Sequence, residues 1–383
     1  MVNTEFDDIR PYYDEEVPAA MARITQSEFF PVLASYVFPG QDIDTVRNMF
    51  LSFRNIHDFQ IGVMKHVNEQ VIKRSISSFT YSGIQNIEHS KRYLFVSNHR
   101  DIMLDAALLQ YILWTNGHET SEITFGANLM TNPLVVDIGK SNKMFRVERG
   151  GSAKEFYRSS AHLSDYIRYV ITQKHQSVWI AQRNGRTKDG NDTTDPGIVS
   201  MFSMSASGDK AKGLDNLNIV PVSVSYEWEP CDYEKATELY ISRERKYVKQ
   251  PGEDLQSILK GIVNPKGQVH FHINSPLTYE ELLQASTEKG GARFNRSVAA
   301  ILDSRIREGY RLFANNYIAY DLRKGTDSFS DKYTSCEKSK FISHLEGLLS
   351  HFAEVTGTEP ETETLMDICL GIYANPVSNK HLQ

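Results

Sequence analysis

The sequence predicts an α/β fold: a mixed sheet flanked by helices, with a helical N-terminal segment and a helical C-terminal tail. Two observations lead there. Between residues 81 and 277, short apolar runs alternate with amphipathic stretches, the pattern of strands covered by helices. On either side, over 1–80 and 278–383, apolar residues recur instead at helical spacing. A chain of 383 residues, 40% apolar and 23% charged, is long and apolar enough to bury a large core. With no convincing linker between them, the three parts read as one packed unit.

Taken in order, Ser27-Glu28 opens the run FFPVLASYVF, which Pro39-Gly40 ends. We read it as a core helix whose aromatic residues can also dip into a bilayer surface. Residues 44–75 carry Val46, Met49, Phe50 and Phe53, then Ile61, Met64, Val67 and Val71, all at helical spacing. The expected strands are Tyr93–Val96, Ile123–Phe125, Met144–Val147, Val178–Ala181, Ile219–Ser225 and Val269–Ile273. Helix-like segments lie between them at 101–115, 153–173 and 253–263. In the tail, Val298, Ile301, Leu302, Ile306 and Tyr310 mark one helix face. A polar stretch at 324–339 then precedes a helix at 340–355.

Composition excludes several classes. A formal net charge of −6 argues against nucleic acid as a partner, since phosphate binding needs a basic face. Three scattered cysteines form neither a disulfide framework nor a zinc pattern and suit a reducing compartment. The acidic start MVNTEFDDIRPYYDEE lacks a signal-peptide pattern, and no apolar run reaches the roughly 20 residues a membrane span requires. The expectation is a cytoplasmic protein, peripheral on the inner membrane face.

In open α/β sheets, sites form just past the carboxyl ends of strands. Four such junctions stand out. The first, SNHRDIMLD, sets His99 at a strand end with Arg100, Asp101 and Asp105 behind it. Histidine is the usual base near neutral pH, and a carboxylate on its other nitrogen fixes the tautomer. The second, KMFRVERGG, runs from Lys143 to Glu148, Arg149 and two glycines. The third, VWIAQRNGRTKDGND, leads a strand into Arg183, Asn184, Gly185, Arg186 and Lys188. Arginine forks match phosphate oxygens, and glycine lets a ligand approach the backbone. The fourth, NIVPVSVSYEWEP, has Pro221 at its entry and Tyr226-Glu227 at its exit.

In this order the junctions resemble the motif blocks of the glycerolipid acyltransferases, the glycerol-3-phosphate and lysophosphatidate acyltransferases, over about residues 93–227. SNHRDIMLD is similar to the block in which an aspartate follows histidine at the fifth position. MFRVERG resembles the Phe-Ile-x-Arg block through Arg149, IAQRNGRT the Phe-Pro-Glu-Gly-x-Arg-Ser block through Arg186, and IVPVSVSYE the proline-bearing strand. The resemblance implies acyl transfer from a thioester to a hydroxyl, with His99 as base and no acyl-enzyme. It implies an anionic acceptor head held by Arg149 and Arg186, helped by Lys143, Arg183 and Arg100, with Asn184 and Gly185 beside it. No cofactor is expected beyond the donor, acyl-CoA or acyl-carrier protein; the partners are a phosphate-bearing lipid precursor and a membrane surface.

Two features depart from the family pattern. Asp105 lies six positions after His99, and the fifth is Leu104. On a regular helix one residue swings a carboxylate by about 100°, so either the junction absorbs an extra turn residue or Asp101 orients the ring. We favour Asp105, with Asp101 as a helix cap. The block-three glutamate is absent, with Asn184 before Gly185. That leaves two further readings: transfer to a different acceptor, such as an amino-acid-containing lipid, or a non-catalytic lipid- or carrier-binding protein. A phosphate hydrolase has neither a metal cluster nor a phosphate-accepting nucleophile to support it. His270-x-His272 reads as strand surface rather than a metal site, for want of a third ligand. The basic segment SRERKYVKQ (242–250) reads as a solvated helix face that can also meet an acidic carrier or anionic lipid.

Overall fold

The computed structural model describes residues 4–130, 132–148, 150–287 and 290–381. Seven strands form one sheet: β1 (Ile76–Ser82), β2 (Leu94–Ser97), β3 (Glu122–Gly126), β4 (Met144–Val147), β5 (Val178–Ala181), β6 (Ile219–Tyr226) and β7 (Gly267–Ile273). Their spatial order is β1-β7-β6-β2-β5-β3-β4. β2 to β6 are mutually parallel, β7 runs antiparallel to β6, and β1 pairs parallel with β7. From β2 the chain moves outward to β3 and β4, then returns to β5 and β6 on either side of β2. The carboxyl end of β2 is therefore a point where the winding reverses, the place where open sheets hold ligands.

β2, β5 and β6 are buried along their whole length, as befits unbroken apolar runs covered on both faces. Alternation along each strand divides the core. Leu94 and Val96 pack with Val178, Ile180 and Ile219 under the helices Ala153–Thr172, Pro196–Met204 and Gly291–Gly309. Phe95 faces the other way, with Trp179, Val220, Val222 and Phe271, under the helix Leu104–Thr115. The N-terminal helices bury Val17, Met21, Phe30, Val46 and Phe50 in a cluster of their own. The tail does the same with Ile318, Phe341, Leu345, Leu365 and Ile372.

Several elements differ from expectation. The helical reading of 1–80 holds to Ser75, but residues 76–82 are the edge strand β1. ISSFTYS is too polar to announce a strand, and only its pairing with β7 makes it one. The run FFPVLASYVF is a helix over Phe30–Val37 that buries Phe30, Ala34 and Val37 and leaves Val32 exposed. The segment 242–250 is not a helix face: the helix Asp232–Ser242 stops at its first residue and a turn and loop follow. The helix Thr362–His381 was not foreseen, because both its sides are buried, through Leu365, Cys369, Ile372, Tyr373 and Val377, and no amphipathic pattern remains.

His270 and His272 point from β7 toward hydroxyls. His270 Nδ1 lies 2.8 Å from Thr80 Oγ1 and its Nε2 3.1 Å from Ser82 Oγ, while His272 Nδ1 is 2.8 Å from Ser82 Oγ. Burial, with Arg311, His272 and Lys380 adding repulsion, pushes the His270 pKa down to about 4. The folded chain thus keeps this ring neutral where the unfolded chain, with an ordinary histidine pKa of about 6.5, takes up a proton. Its contribution is present above pH ~6.5 and is lost as the pH falls toward 4. In urea unfolding titrations across that window, His270→Asn should flatten part of the wild-type loss of stability.

Candidate active site

β2 ends at Ser97, and the next eight residues build the centre of the site. Asn98 stitches β2 to β6, its amide accepting from Val224 N at 2.8 Å and donating to Val224 O at 2.9 Å. That bond pair carries the chain outward in extended form to His99. Residues 101–103 then make a turn before the helix begins at Leu104. The turn absorbs the additional residue between histidine and aspartate, and Asp105 faces the ring.

His99 Nδ1 lies 2.9 Å from Asp105 Oδ2. The same oxygen accepts the backbone N–H of Arg100 at 2.6 Å and of Asp101 at 2.9 Å, and Oδ1 accepts the Tyr226 hydroxyl at 2.8 Å. Two backbone N–H groups, a phenol and the imidazole thus converge on this buried carboxylate and occupy both its oxygens. Burial and the Asp105 charge push the Tyr226 phenol well above its usual range, so Tyr226 remains a donor. The His99 proton belongs on Nδ1, toward Asp105, leaving Nε2 as the basic nitrogen. Trp179 meets the ring edge to face, centroids 5.7 Å apart.

Asp101 does not touch His99. It caps the helix, accepting from Met103 N and Leu104 N at 2.9 Å each, and its other oxygen is buried without a partner. Burial and the neighbouring Asp105 raise its pKa.

The loop after β5 is tied at both ends to the histidine segment, through Gln182 N to Ser97 O at 2.8 Å and Thr187 N to His99 O at 2.7 Å. Between these ties it bulges outward. Gly185 takes the left-handed φ of +74° that lets the loop turn back, and Arg186 follows. Gly185 and Arg186 line a cavity of about 70 Å³ with His99, Ile102, Phe125 and Trp179, and Lys249 and Asp254 also border it. Arg186 Nη1 is buried there with no hydrogen-bond partner. Arg183 and Asn184 sit on the same loop without lining the cavity.

Two expectations change. Arg100 is not a substrate contact: it is 1% exposed and forks onto Asp192, at 3.1 and 2.6 Å, with Nη1 3.0 Å from Glu229. Lys235 completes this buried set, donating to Glu229 at 2.6 Å and to Arg100 O at 2.8 Å. Lys143 is not in the site either. It precedes β4, at the opposite end of the sheet, and donates to Thr120 O and Gln176 Oε1 at 3.3 and 2.9 Å. Arg149 lies outside the described residues. Among the described residues no group of three or more His, Cys, Asp or Glu is arranged to hold a metal ion.

Sequence reading missed Asp192, Glu229, Lys235, Lys249 and Asp254. Asp192, Glu229 and Lys249 stood in the quoted stretches VWIAQRNGRTKDGND, NIVPVSVSYEWEP and SRERKYVKQ, but nothing local singled them out.

The site thus joins an imidazole–carboxylate pair and a guanidinium with an unpartnered nitrogen in one cavity at the sheet's switch point. Residues 78–225, from β1 to β6, match the family model described as Acyltransferase. The match covers the first three motif blocks and most of the fourth. Among solved structures, the 1-acyl-sn-glycerophosphate (LPA) acyltransferase PlsC from Thermotoga maritima is similar at 13% identity, covering 75% of this chain and 94% of that one with a TM-score of 0.36. A search of curated proteins finds no match.

Arg100→Met removes the cation that compensates Asp192 and Glu229. Breaking a buried pair in this way costs about 3–5 kcal/mol, which should appear as a lower urea midpoint with an unchanged slope.

Proposed function

We propose that the chain moves a fatty acyl group from a thioester donor, acyl-CoA or acyl-carrier protein, to the hydroxyl of glycerol-3-phosphate or lysophosphatidate. The observation that carries this reading is the His99–Asp105 pair at the end of β2, set across one cavity from Arg186. His99 Nε2 takes the acceptor hydroxyl proton as the oxygen attacks the thioester carbonyl. The carbon–sulfur bond breaks, and the imidazolium returns its proton to the leaving thiolate. Asp105 holds the ring and stabilises the imidazolium. Such a base contributes about 10²–10⁴-fold, or roughly 3–5 kcal/mol of barrier. Arg186 supplies the charge and the free N–H groups for an acceptor phosphate.

The cavity has room for little more than a headgroup, so the fatty chains lie beyond its mouth, near Lys249 and Asp254. No helix among the described residues is long and apolar enough to cross a membrane. We place the protein in the cytoplasm, peripheral on the inner membrane face.

The test is thioester consumption by the purified chain with glycerol-3-phosphate, then lysophosphatidate. His99→Ala should lower kcat by about 10²–10⁴-fold, Asp105→Asn should lower kcat with little change in KM, and Arg186→Ala should chiefly raise the acceptor KM. Turnover that survives His99→Ala would sink the mechanism. Wild-type turnover only with an acceptor lacking phosphate would move the reading to a different lipid, and none with any acceptor to a binding role.

A further inference from the structure

The helix Glu253–Val263 covers the turn that carries Asp101. Ser257 and Gly261 are buried on its inward side, where Ile262 packs against the apolar core and a Cβ added at Gly261 would run into the Asp101 carboxylate. Its outward face carries Leu255, Leu259 and Val263, which are 53%, 54% and 57% exposed. These three are spaced at i, i+4 and i+8 and form one solvent-facing stripe. The loop before the helix adds Val248, 70% exposed.

The same loop concentrates positive charge in a chain whose formal net charge is −6. Arg243, Arg245 and Lys246 are exposed, with Glu244 the one acid between them. Nearby carboxylates are already engaged: Glu234 by Lys260, Glu238 by Lys188, Asp254 by Lys249, and Glu253 by the Tyr247 hydroxyl. Nothing within the loop offsets the three cations beyond Glu244.

This surface sits at the mouth of the site. Lys249 and Asp254 border the His99 cavity, and Asn128, just past β3, donates to Asp254 at 2.9 Å. Past the end of β4, at the same edge of the sheet, the helix Ala153–Thr172 exposes Phe156 and Tyr157 in its first turns, flanked by exposed Lys154 and Arg158. Two separate elements at the carboxyl end of the sheet thus present apolar side chains beside basic ones.

We infer that the outer face of the helix Glu253–Val263, with the basic loop 243–249, docks on an anionic lipid bilayer and holds the mouth of the His99 cavity against it. Leu255, Leu259, Val263 and Val248 enter the headgroup–acyl boundary, while Arg243, Arg245 and Lys246 meet lipid phosphates. Four large aliphatic side chains beside the cations favour a bilayer over an acidic carrier protein, which the charges alone would satisfy. The inference deepens the proposed function by giving a lipid acceptor a route into the site without leaving the membrane, and it rests on that reading for its purpose.

The test is co-sedimentation of the full chain with phosphatidylcholine vesicles, with and without phosphatidylglycerol. Wild type should bind the anionic vesicles, more weakly at high salt. Leu255→Ser/Leu259→Ser/Val263→Ser and, separately, Arg243→Ala/Arg245→Ala/Lys246→Ala should each weaken binding by about tenfold or more. Both variants should keep the wild-type melting temperature, because the altered side chains are exposed. Turnover on a monomeric, water-soluble acceptor should be unchanged, and turnover on a vesicle-embedded acceptor should fall with binding. Equal vesicle binding by wild type and both variants, no binding by wild type, or loss of acyl-carrier-protein binding alone would each overturn the inference. Vesicle binding that both variants lose, in a chain with no turnover on any acceptor, would uphold the surface and reject the acyl-transfer reading.

Discussion

A single carboxylate organises the end of this sheet. Asp105 collects the His99 ring, two successive backbone N–H groups and the Tyr226 hydroxyl, drawing together the strand end, the turn, the helix start and β6. A buried carboxylate that loses one of these partners leaves a polar oxygen unsatisfied, which is costly away from water. The geometry of the ring is therefore inseparable from the packing of β2 against β6. Asn98 serves the same end from one residue upstream, since its amide fixes how far β2 and β6 slide along each other.

Around this pair lies a second buried layer that does no chemistry. Arg100, Lys235, Asp192 and Glu229 balance two positive and two negative charges in a space closed to water. Asp192 also accepts from Asn98 at 3.1 Å, and Arg100 stands 5.3 Å from the Tyr310 ring. The layer locks the 182–192 loop and the 229–235 segment against the histidine turn. Such a network specifies one arrangement because any shift strands a charge. Arg186 differs from Arg100 in just this respect. Both are arginines beside the histidine, but one has its carboxylates and the other has a buried nitrogen without a partner.

The helix Glu253–Val263 joins the site to the surface. Small residues on its inner side bring it close to the Asp101 turn, and large aliphatic ones on its outer side face solvent. Ile262 packs against the apolar core, while Gly261 lies against the polar turn that carries Asp101.

Much was legible from the sequence alone. β2, β5 and β6 are marked by unbroken apolar runs, since strands buried on both faces must be apolar throughout, and β7 by alternation. His99 and Asp105 could be paired because they are close in sequence and one turn decides their contact. What lay beyond reading depends on pairs distant in the chain. Arg100 is separated from Asp192 by 92 residues and from Glu229 by 129, so nothing local distinguishes a neutralised guanidinium from a free one. Lys143 is a different case: it stands before the run Met144–Val147, so chain order already sets it at the amino end of β4, away from the carboxyl ends where the site forms. β1 became a strand because β7 offered it an edge. The chain by itself determined β2 to β7 and the histidine–aspartate pair, through local apolarity and local spacing. The tertiary structure decided which cations pair with buried carboxylates and which keep a buried nitrogen without a partner, because burial and charge pairing exist only between parts of the chain that folding brings together.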